Sequence, residues 1–543
     1  MRYLFYCLTF FCMPLLAQAQ QTYTRQDSLR GTLTPLRTCY DVGFYNLQLR
    51  VEPDKKFISG SNTIVYKVVS DFEKLQIDLF DNMQIEKIIQ ANKKLAFVRE
   101  GNATFVQFEG IQAKGKIDSI QIFFSGKPRE AVNPPWDGGF SWKKDKNKDH
   151  WIGVSCEGIG ASLWWANKDH LSDEPDSMHI ACEVPSDLMC VANGTLRKKE
   201  TLADNFTRFS WFVHYAINNY NVTLNIAKYA QFSDTYNSPD GEKLALDYYV
   251  LPYNLEKAKK HFEQVKPMLA CYEKYFGKYP FWKDGYALVE TSYWGMEHQG
   301  AIAYGNNYGN NLIVPTFPFD YIIVHETGHE YWGNSVSCKD HAEMWIHESF
   351  CTYSEALYVE CTYNSRQKAE EYLMYQRQRI ENKMAMLERL GVNADAPSDI
   401  YFKGTWMLHT LRNVIDNDKL WFEIIKGITT EFKMKTIDTN DIINFINQKT
   451  GTDYHYFFEQ YLRKSNIPTL VYKFENKGKK TKLLYKWEGV APDFKMPIKI
   501  ETDPDVFEKI SPTCQWQTLN HIKKQEEVKI PLNWYYINTK KLE

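Results

Sequence analysis

Asp320-Tyr321-Ile322-Ile323-Val324-His325-Glu326-Thr327-Gly328-His329-Glu330-Tyr331-Trp332-Gly333-Asn334 is the stretch on which the reading of this chain turns. The apolar run Tyr321 to Val324 and the Gly333-Asn334 stop predict a helix over 320–332. His325 and His329 stand four apart on it, neighbours about 5–6 Å apart on one helical face, so both imidazoles can reach a single ion. Catalytic zinc takes three protein ligands and keeps a fourth position for water. The candidate third ligand is Glu348, separated from His329 by eighteen residues and set in a second helical pattern, Ala342 to Cys361. Glu326 lies on the adjoining face, where a carboxylate addresses water without ligating the metal and acts as general base, a contribution of about 10²–10⁴-fold. His298, His341 and His347 are rival ligands that lack the helical pairing. The expected cofactor is one Zn²⁺ per chain.

Before this stretch, from Tyr45 to about Ile226, short alternating runs such as Tyr45 to Val51 and Ser119 to Phe124 are separated by Gly, Asn, Asp and Pro turns, a β-rich pattern. Leu244 to Val250 continues as strand. The period then becomes helical from Leu255 to Phe276, with Gly277 as the stop. Tyr286 to Glu290 reads as an isolated strand among further helices at Gln367 to Leu390, Gly404 to Asp416 and Thr439 to Gln448. After Ile467-Pro468 strands return, at Leu470 to Phe474 and Lys482 to Trp487. The expected class is multidomain α+β: a β-rich domain over 20–235, a mostly helical domain with a small sheet over 236–466, and a small C-terminal β-sandwich over 467–543.

The 543 residues are 44% hydrophobic and 24% charged with a formal net charge of -2, an ordinary globular balance. No long basic run supplies the electrostatic footprint of nucleic-acid binding, which is therefore excluded as a partner. Arg2, the apolar stretch Tyr3 to Leu16 and Ala17-Gln18-Ala19 read as a signal peptide over 1–19. The apolar run is shorter than the roughly 20 residues of a spanning helix, so no stable membrane span is expected after cleavage. The expected location is exported, periplasmic or extracellular. Export removes Cys7 and Cys12 from eleven cysteines; the other nine show no disulfide framework and no Cys-x-x-Cys metal pair, and most are expected to be small buried hydrophobes.

The segment His325 to Glu348 resembles the gluzincin zinc aminopeptidases, the family of aminopeptidase N and leukotriene hydrolase, peptidase family M one. Gly295-Met296-Glu297-His298 resembles that family's Gly-x-Met-Glu-Asn segment, with His298 in place of Asn and Trp294 in place of the leading Gly. Tyr401-Phe402-Lys403-Gly404 resembles its Tyr-x-Lys-Gly, and Ser155-Cys156-Glu157-Gly158 resembles the segment whose acidic or amide side chain reaches the same site. The resemblance covers Tyr45 to Leu470 and implies a saddle-like β-domain followed by a thermolysin-like catalytic domain. About 75 residues follow, too few for the large helical C-terminal domain of many members, so a short form is expected.

What the resemblance implies is a hydrolase acting on peptide bonds, a metalloprotease that releases the first residue of peptides with a free N-terminus. Glu297, with Glu157, would hold the substrate's α-ammonium group, and the flanking Gly295, Met296 and His298 would shape the subsite. A carboxylate beside the metal rejects internal segments that carry no terminal charge. Tyr401 would donate to the developing oxyanion. Two other readings stand beside this one: a thermolysin-like endopeptidase, which shares the metal residues but has no use for Glu297, and a catalytically silent peptide-binding homologue.

Overall fold

The computed structural model describes residues 23–393, 396–477, 480–522 and 528–543. The stretch read as a signal peptide lies outside them. The architecture is mixed α+β, as the sequence pattern predicts.

The N-terminal part opens on Tyr40–Glu52, whose alternate residues Tyr45, Leu47, Leu49 and Val51 are buried as the period of two requires. This strand pairs antiparallel with Phe57–Val68 and parallel with Ser177–Pro185, within a ten-stranded sheet. Facing it is a four-stranded sheet containing Gly139–Lys144 and His150–Ser155. Leu47 and Ile64 from one sheet and Phe140, Ile152 and Ile226 from the other share a single hydrophobic core.

Tyr286–Glu290 is not isolated. It is the middle strand of a five-stranded sheet, parallel to both Lys243–Val250 and Ile302–Tyr304. All five of its residues are buried because both faces are covered: Ala287 and Val289 join the first core, Tyr286 and Leu288 a second. The sheet is thus the wall between the two cores. It ends on the two-residue edge strand Gly295–Met296, antiparallel to Ile302–Tyr304.

The helical pattern Leu255 to Phe276 is interrupted. Leu255–His261 and Val265–Phe276 are separated by a 3-10 turn, Phe262–Gln264. Pro267 explains the break, since it lacks the N–H that would bond back to Glu263 and its ring crowds that carbonyl. The pattern at Gln367 to Leu390 also ends early, at Arg377. There the chain finds other partners: the Asp399 carboxylate accepts the N–H groups of Glu381 and Asn382, and the Leu462 carbonyl accepts those of Met386 and Leu387.

Three helices frame the site: the motif helix Tyr321–Tyr331, the long helix Trp345–Tyr363 that carries Glu348, and Phe402–Ile415, which begins just after Tyr401. The last two pack so closely at Gly404 that a Cβ there would lie 1.8 Å from Ser349 Oγ. The C-terminal strands Thr469–Lys477 and Lys480–Glu488 pair antiparallel in a four-stranded sheet. Their Leu470, Leu483 and Trp487 merge into the second core. A disulfide joins Cys271 to Cys361, and six other cysteines, Cys39, Cys156, Cys182, Cys190, Cys338 and Cys351, are buried thiols. Among the described residues no helix is long and apolar enough to cross a membrane.

Candidate active site

The motif helix is anchored at its start by Asp320, whose carboxylate accepts the N–H groups of Ile322 and Ile323 and also receives His261 Nε2 and the Tyr304 hydroxyl, each at 2.7 Å. It ends where the sequence stop predicts, with Gly333 at φ +118° and the Asn334 N–H bonded to the His329 carbonyl. So placed, His325 Nε2 and His329 Nε2 are 3.3 Å apart. Glu348 Oε2 stands 3.8 Å from the first and 3.5 Å from the second.

The outer nitrogens of both rings are engaged. His325 Nδ1 lies 2.8 Å from Glu355 Oε1, and His329 Nδ1 lies 2.9 Å from the Trp332 carbonyl oxygen. These acceptors fix each Nδ1 as the protonated nitrogen and turn both Nε2 lone pairs inward. Glu355 is itself held on its other oxygen by the Tyr372 hydroxyl at 2.6 Å and Gln376 Nε2 at 2.9 Å. Among the described residues Glu348 Oε2 is buried with no hydrogen-bond partner. Two inward imidazole nitrogens beside an orphaned carboxylate oxygen form a three-donor set that a tetrahedral divalent cation satisfies. The residues present therefore fit a catalytic metal.

Burial works against the Glu348 carboxylate, but His329 and His325 hold it at about 2. Burial and the nearby Glu297 and Glu348 carboxylates, opposed by His325 and His329, push Glu326 up to about 7. The Glu326 carboxylate faces the edge strand: a Cβ at Gly295 would lie 2.4 Å from its Oε1, so the absence of a side chain at 295 is what admits it.

Glu297 is 2% exposed. Its Oε1 accepts the Tyr220 hydroxyl at 3.0 Å, and its backbone oxygen accepts Asn334 Nδ2 at 2.8 Å. Behind Tyr220 stands His347, whose Nε2 accepts the Cys338 N–H and whose Nδ1 is 3.2 Å from the Tyr220 oxygen. That pattern puts the proton on Nδ1, so His347 donates to Tyr220 and Tyr220 donates to Glu297. Glu330, on the motif helix, ties the turn after Glu297 in place by accepting the Gly300 N–H at 3.0 Å and the Tyr279 hydroxyl at 2.7 Å.

Glu157 follows the strand His150–Ser155 and lines the same cleft of 430 Å³ as Gly295, Met296, Glu297, Glu326 and Tyr401. Burial, then Glu297 and Glu348, push its carboxyl well above the ordinary range. Four acidic groups, Glu157, Glu297, Glu326 and Glu348, lining one buried space call for a cation. The Tyr401 ring stacks 6.4 Å from that of His325, and burial followed by Glu348 keeps its hydroxyl protonated. A neighbouring cavity of 550 Å³, lined by Cys156, Gly158, Tyr220 and His341, contains none of the three metal donors.

Of the residues given a metal, catalytic or substrate role from the sequence, His298 alone does not line the cleft. It stands in the turn after the edge strand, its N–H bonded to the Met296 carbonyl, lies fully buried, and burial pushes its imidazole down to about 3. His347 and His341 are not at the three-donor cluster either. Sequence reasoning passed over Tyr220, Glu330, Glu355 and Trp136; only Glu355, seven residues after Glu348 on the same helix, carries a periodic signal that could have found it.

Residues 260–461 match the peptidase family M1 domain. Over this segment the chain is similar to peptidase family M1. The matched segment contains His325, Glu326, His329, Glu348, Glu297 and Tyr401 but not Glu157. Relatives of this chain include "Probable aminopeptidase 1" of Saccharolobus solfataricus, 19% identical over 74% of this chain and 51% of the relative. "Probable aminopeptidase 2" of Sulfurisphaera tokodaii is 22% identical over 55% of this chain and 36% of the relative. The chain thus spans a third to a half of the length of these relatives. A solved M1 zinc metallopeptidase from Deinococcus radiodurans shares the fold at TM-score 0.66 and 16% identity, over 79% of this chain and 94% of that one.

Proposed function

We propose that this chain is a zinc-dependent aminopeptidase that removes the first residue of peptides. The observation that carries the reading is Glu297: a carboxylate buried in the metal cleft, held by Tyr220 and joined there by Glu157. Buried anions at this spot have use for a ligand that brings its own positive charge, and the free α-ammonium group of a peptide does. The relatives named as aminopeptidases and the neighbouring structure described as bound to Tyr-Ser-Ala support the same substrate class.

His325, His329 and Glu348 would hold the zinc, which when bound supplies Lewis acidity to a water and to the scissile carbonyl. Glu297 and Glu157 receive the α-ammonium and set the distance at which the first peptide bond meets Glu326. Glu326 takes a proton from the attacking water and returns it to the leaving amine. The Tyr401 hydroxyl donates to the carbonyl oxygen as charge gathers on it. Glu355 and the Trp332 carbonyl keep the two imidazoles aimed throughout.

We also propose that the protein is exported. The apolar stretch Tyr3 to Leu16 supports this, as does the Cys271–Cys361 bond, a kind of link that persists in oxidising compartments.

The test of the activity is release of free amino acid from short peptides by protein of measured zinc content, with and without chelator. Glu326→Gln is expected to retain zinc and lose turnover by at least about 100-fold. Undiminished turnover in that variant would overturn the mechanism.

A further inference from the structure

One wall of the cleft is a continuous file of rings. Trp136 meets Trp294 edge to face at 6.4 Å; Trp294 stacks on Tyr321 at 5.4 Å; Tyr321 stacks on His325 at 5.2 Å. The file runs from solvent to the metal cluster. Its outer member, Trp136, is 63% exposed although its loop is well fixed. The Trp136 N–H bonds to the Asn133 carbonyl, and the Asp137 carboxylate accepts the N–H groups of Val132 and Asn133 at 2.7 and 2.9 Å. A large indole held in water by a tied loop, at the mouth of a cleft, is a surface kept for a ligand.

The order of residues along the edge strand says which part of the ligand. Glu297 marks the amino end of the substrate in the proposed function. Gly295, whose Cβ position abuts Glu326, marks the bond to be cut. Trp294 lies one residue further in the same direction, hence beyond the scissile bond, on the leaving-group side. Its indole N–H donates to Asn306 Oδ1 at 3.2 Å, which fixes the ring, and both Trp294 and Trp136 line the cleft.

We propose that Trp136 and Trp294 form the seat for the second residue of the substrate, and that peptides with an aromatic or large apolar residue at that position are preferred. This rests on the aminopeptidase reading. It concerns the residue that departs, not the one released first.

The test compares, on the zinc-loaded protein, kcat/KM for Leu-Phe-amide and Leu-Gly-amide. The expected result is about a tenfold preference for the Phe peptide, the scale of one well-placed aromatic contact. In Trp136→Ala the ratio should fall towards one, while Trp136→Phe should keep most of it. Because Trp136 is exposed, neither change disturbs the core. A ratio near one in the wild type, or an unchanged ratio in Trp136→Ala, would overturn the assignment. If neither peptide is cut, the aminopeptidase reading fails, and the wall is judged by calorimetric affinity of zinc-loaded Glu326→Gln for the two amides. Tighter binding of the Phe peptide supports it there, and equal affinities overturn it.

Discussion

Glu355 Oε1 lies 2.8 Å from His325 Nδ1, and this contact decides which nitrogen of His325 faces the metal donors. Both residues are buried, and Glu355 is in turn held by Tyr372 and Gln376. Glu355→Gln should preserve the fold while loosening the imidazole. Such outer-shell changes cost about 10–100-fold in metal affinity. Zinc competition against a chelator should show a loss in that range, and an unchanged zinc affinity would remove Glu355 from the account.

Tyr220→Phe removes the hydroxyl that donates to Glu297 and leaves the ring in its core. A hydrogen bond to a charged group contributes about 1.5–3 kcal/mol, so kcat/KM for peptides with a free amino end should drop about 10–100-fold. Zinc content should not change. A variant that lost zinc instead would show that Tyr220 supports the metal cluster rather than the amino-end clamp.

Gly295→Ala places a methyl 2.4 Å from Glu326 Oε1 and 3.0 Å from two carbons of Ile322. The flexible carboxylate yields first. Turnover should fall by about 10²-fold or more, the scale of general-base catalysis, with zinc still bound. Wild-type turnover in this variant would mean that Glu326 is not needed in its observed position.

Lys403 belongs to the Tyr401 motif but points away from the cleft. Its Nζ donates to the carbonyls of Lys464 and Ser465 at 2.7 and 3.0 Å, tying the start of its helix to the segment that enters the C-terminal sheet. Burial lowers its pKa from 10.5 to about 8. The sign follows: between pH 8 and 10.5 the unfolded chain binds the proton that the folded chain has released, so this group's contribution to stability rises with pH across that window and is lost as pH falls through about 8. Lys403→Met should destabilise by about 1–3 kcal/mol, because two part-buried carbonyls lose a charged donor. In urea melts the gap between wild type and variant should widen from pH 8 to 10. A constant gap would contradict the burial assigned to Lys403.

The parts of the site legible in the sequence were those whose geometry is local. The helix predicted over 320–332 is observed as Tyr321–Tyr331, because its apolar run, its aspartate cap and its glycine stop all act within a few residues. Glu348 reaches His329 through a turn of eighteen residues, short enough to carry a fixed spacing. Tyr220 left no such trace: 77 residues separate it from Glu297, and a lone tyrosine among 35 carries no period. Cys271 and Cys361, 90 apart, were equally silent. The pattern Gln367 to Leu390 misled because its helical spacing was real, but Asp399 and the Leu462 carbonyl offered the backbone better partners after Arg377. His298 sat inside a motif, yet the chain turns after Met296 and buries its ring outside the cleft lining, which sequence order alone hides.

The central claim, that Glu297 selects a free amino end, is tested most directly by one pair of substrates. Zinc-loaded protein is assayed with leucine arylamide and with its N-acetylated form, which differ only in the α-ammonium charge. The account predicts hydrolysis of the first and a rate at least about 100-fold lower for the second, since a buried carboxylate left without its cation costs several kcal/mol. Equal rates for the two would contradict it and point to an endopeptidase.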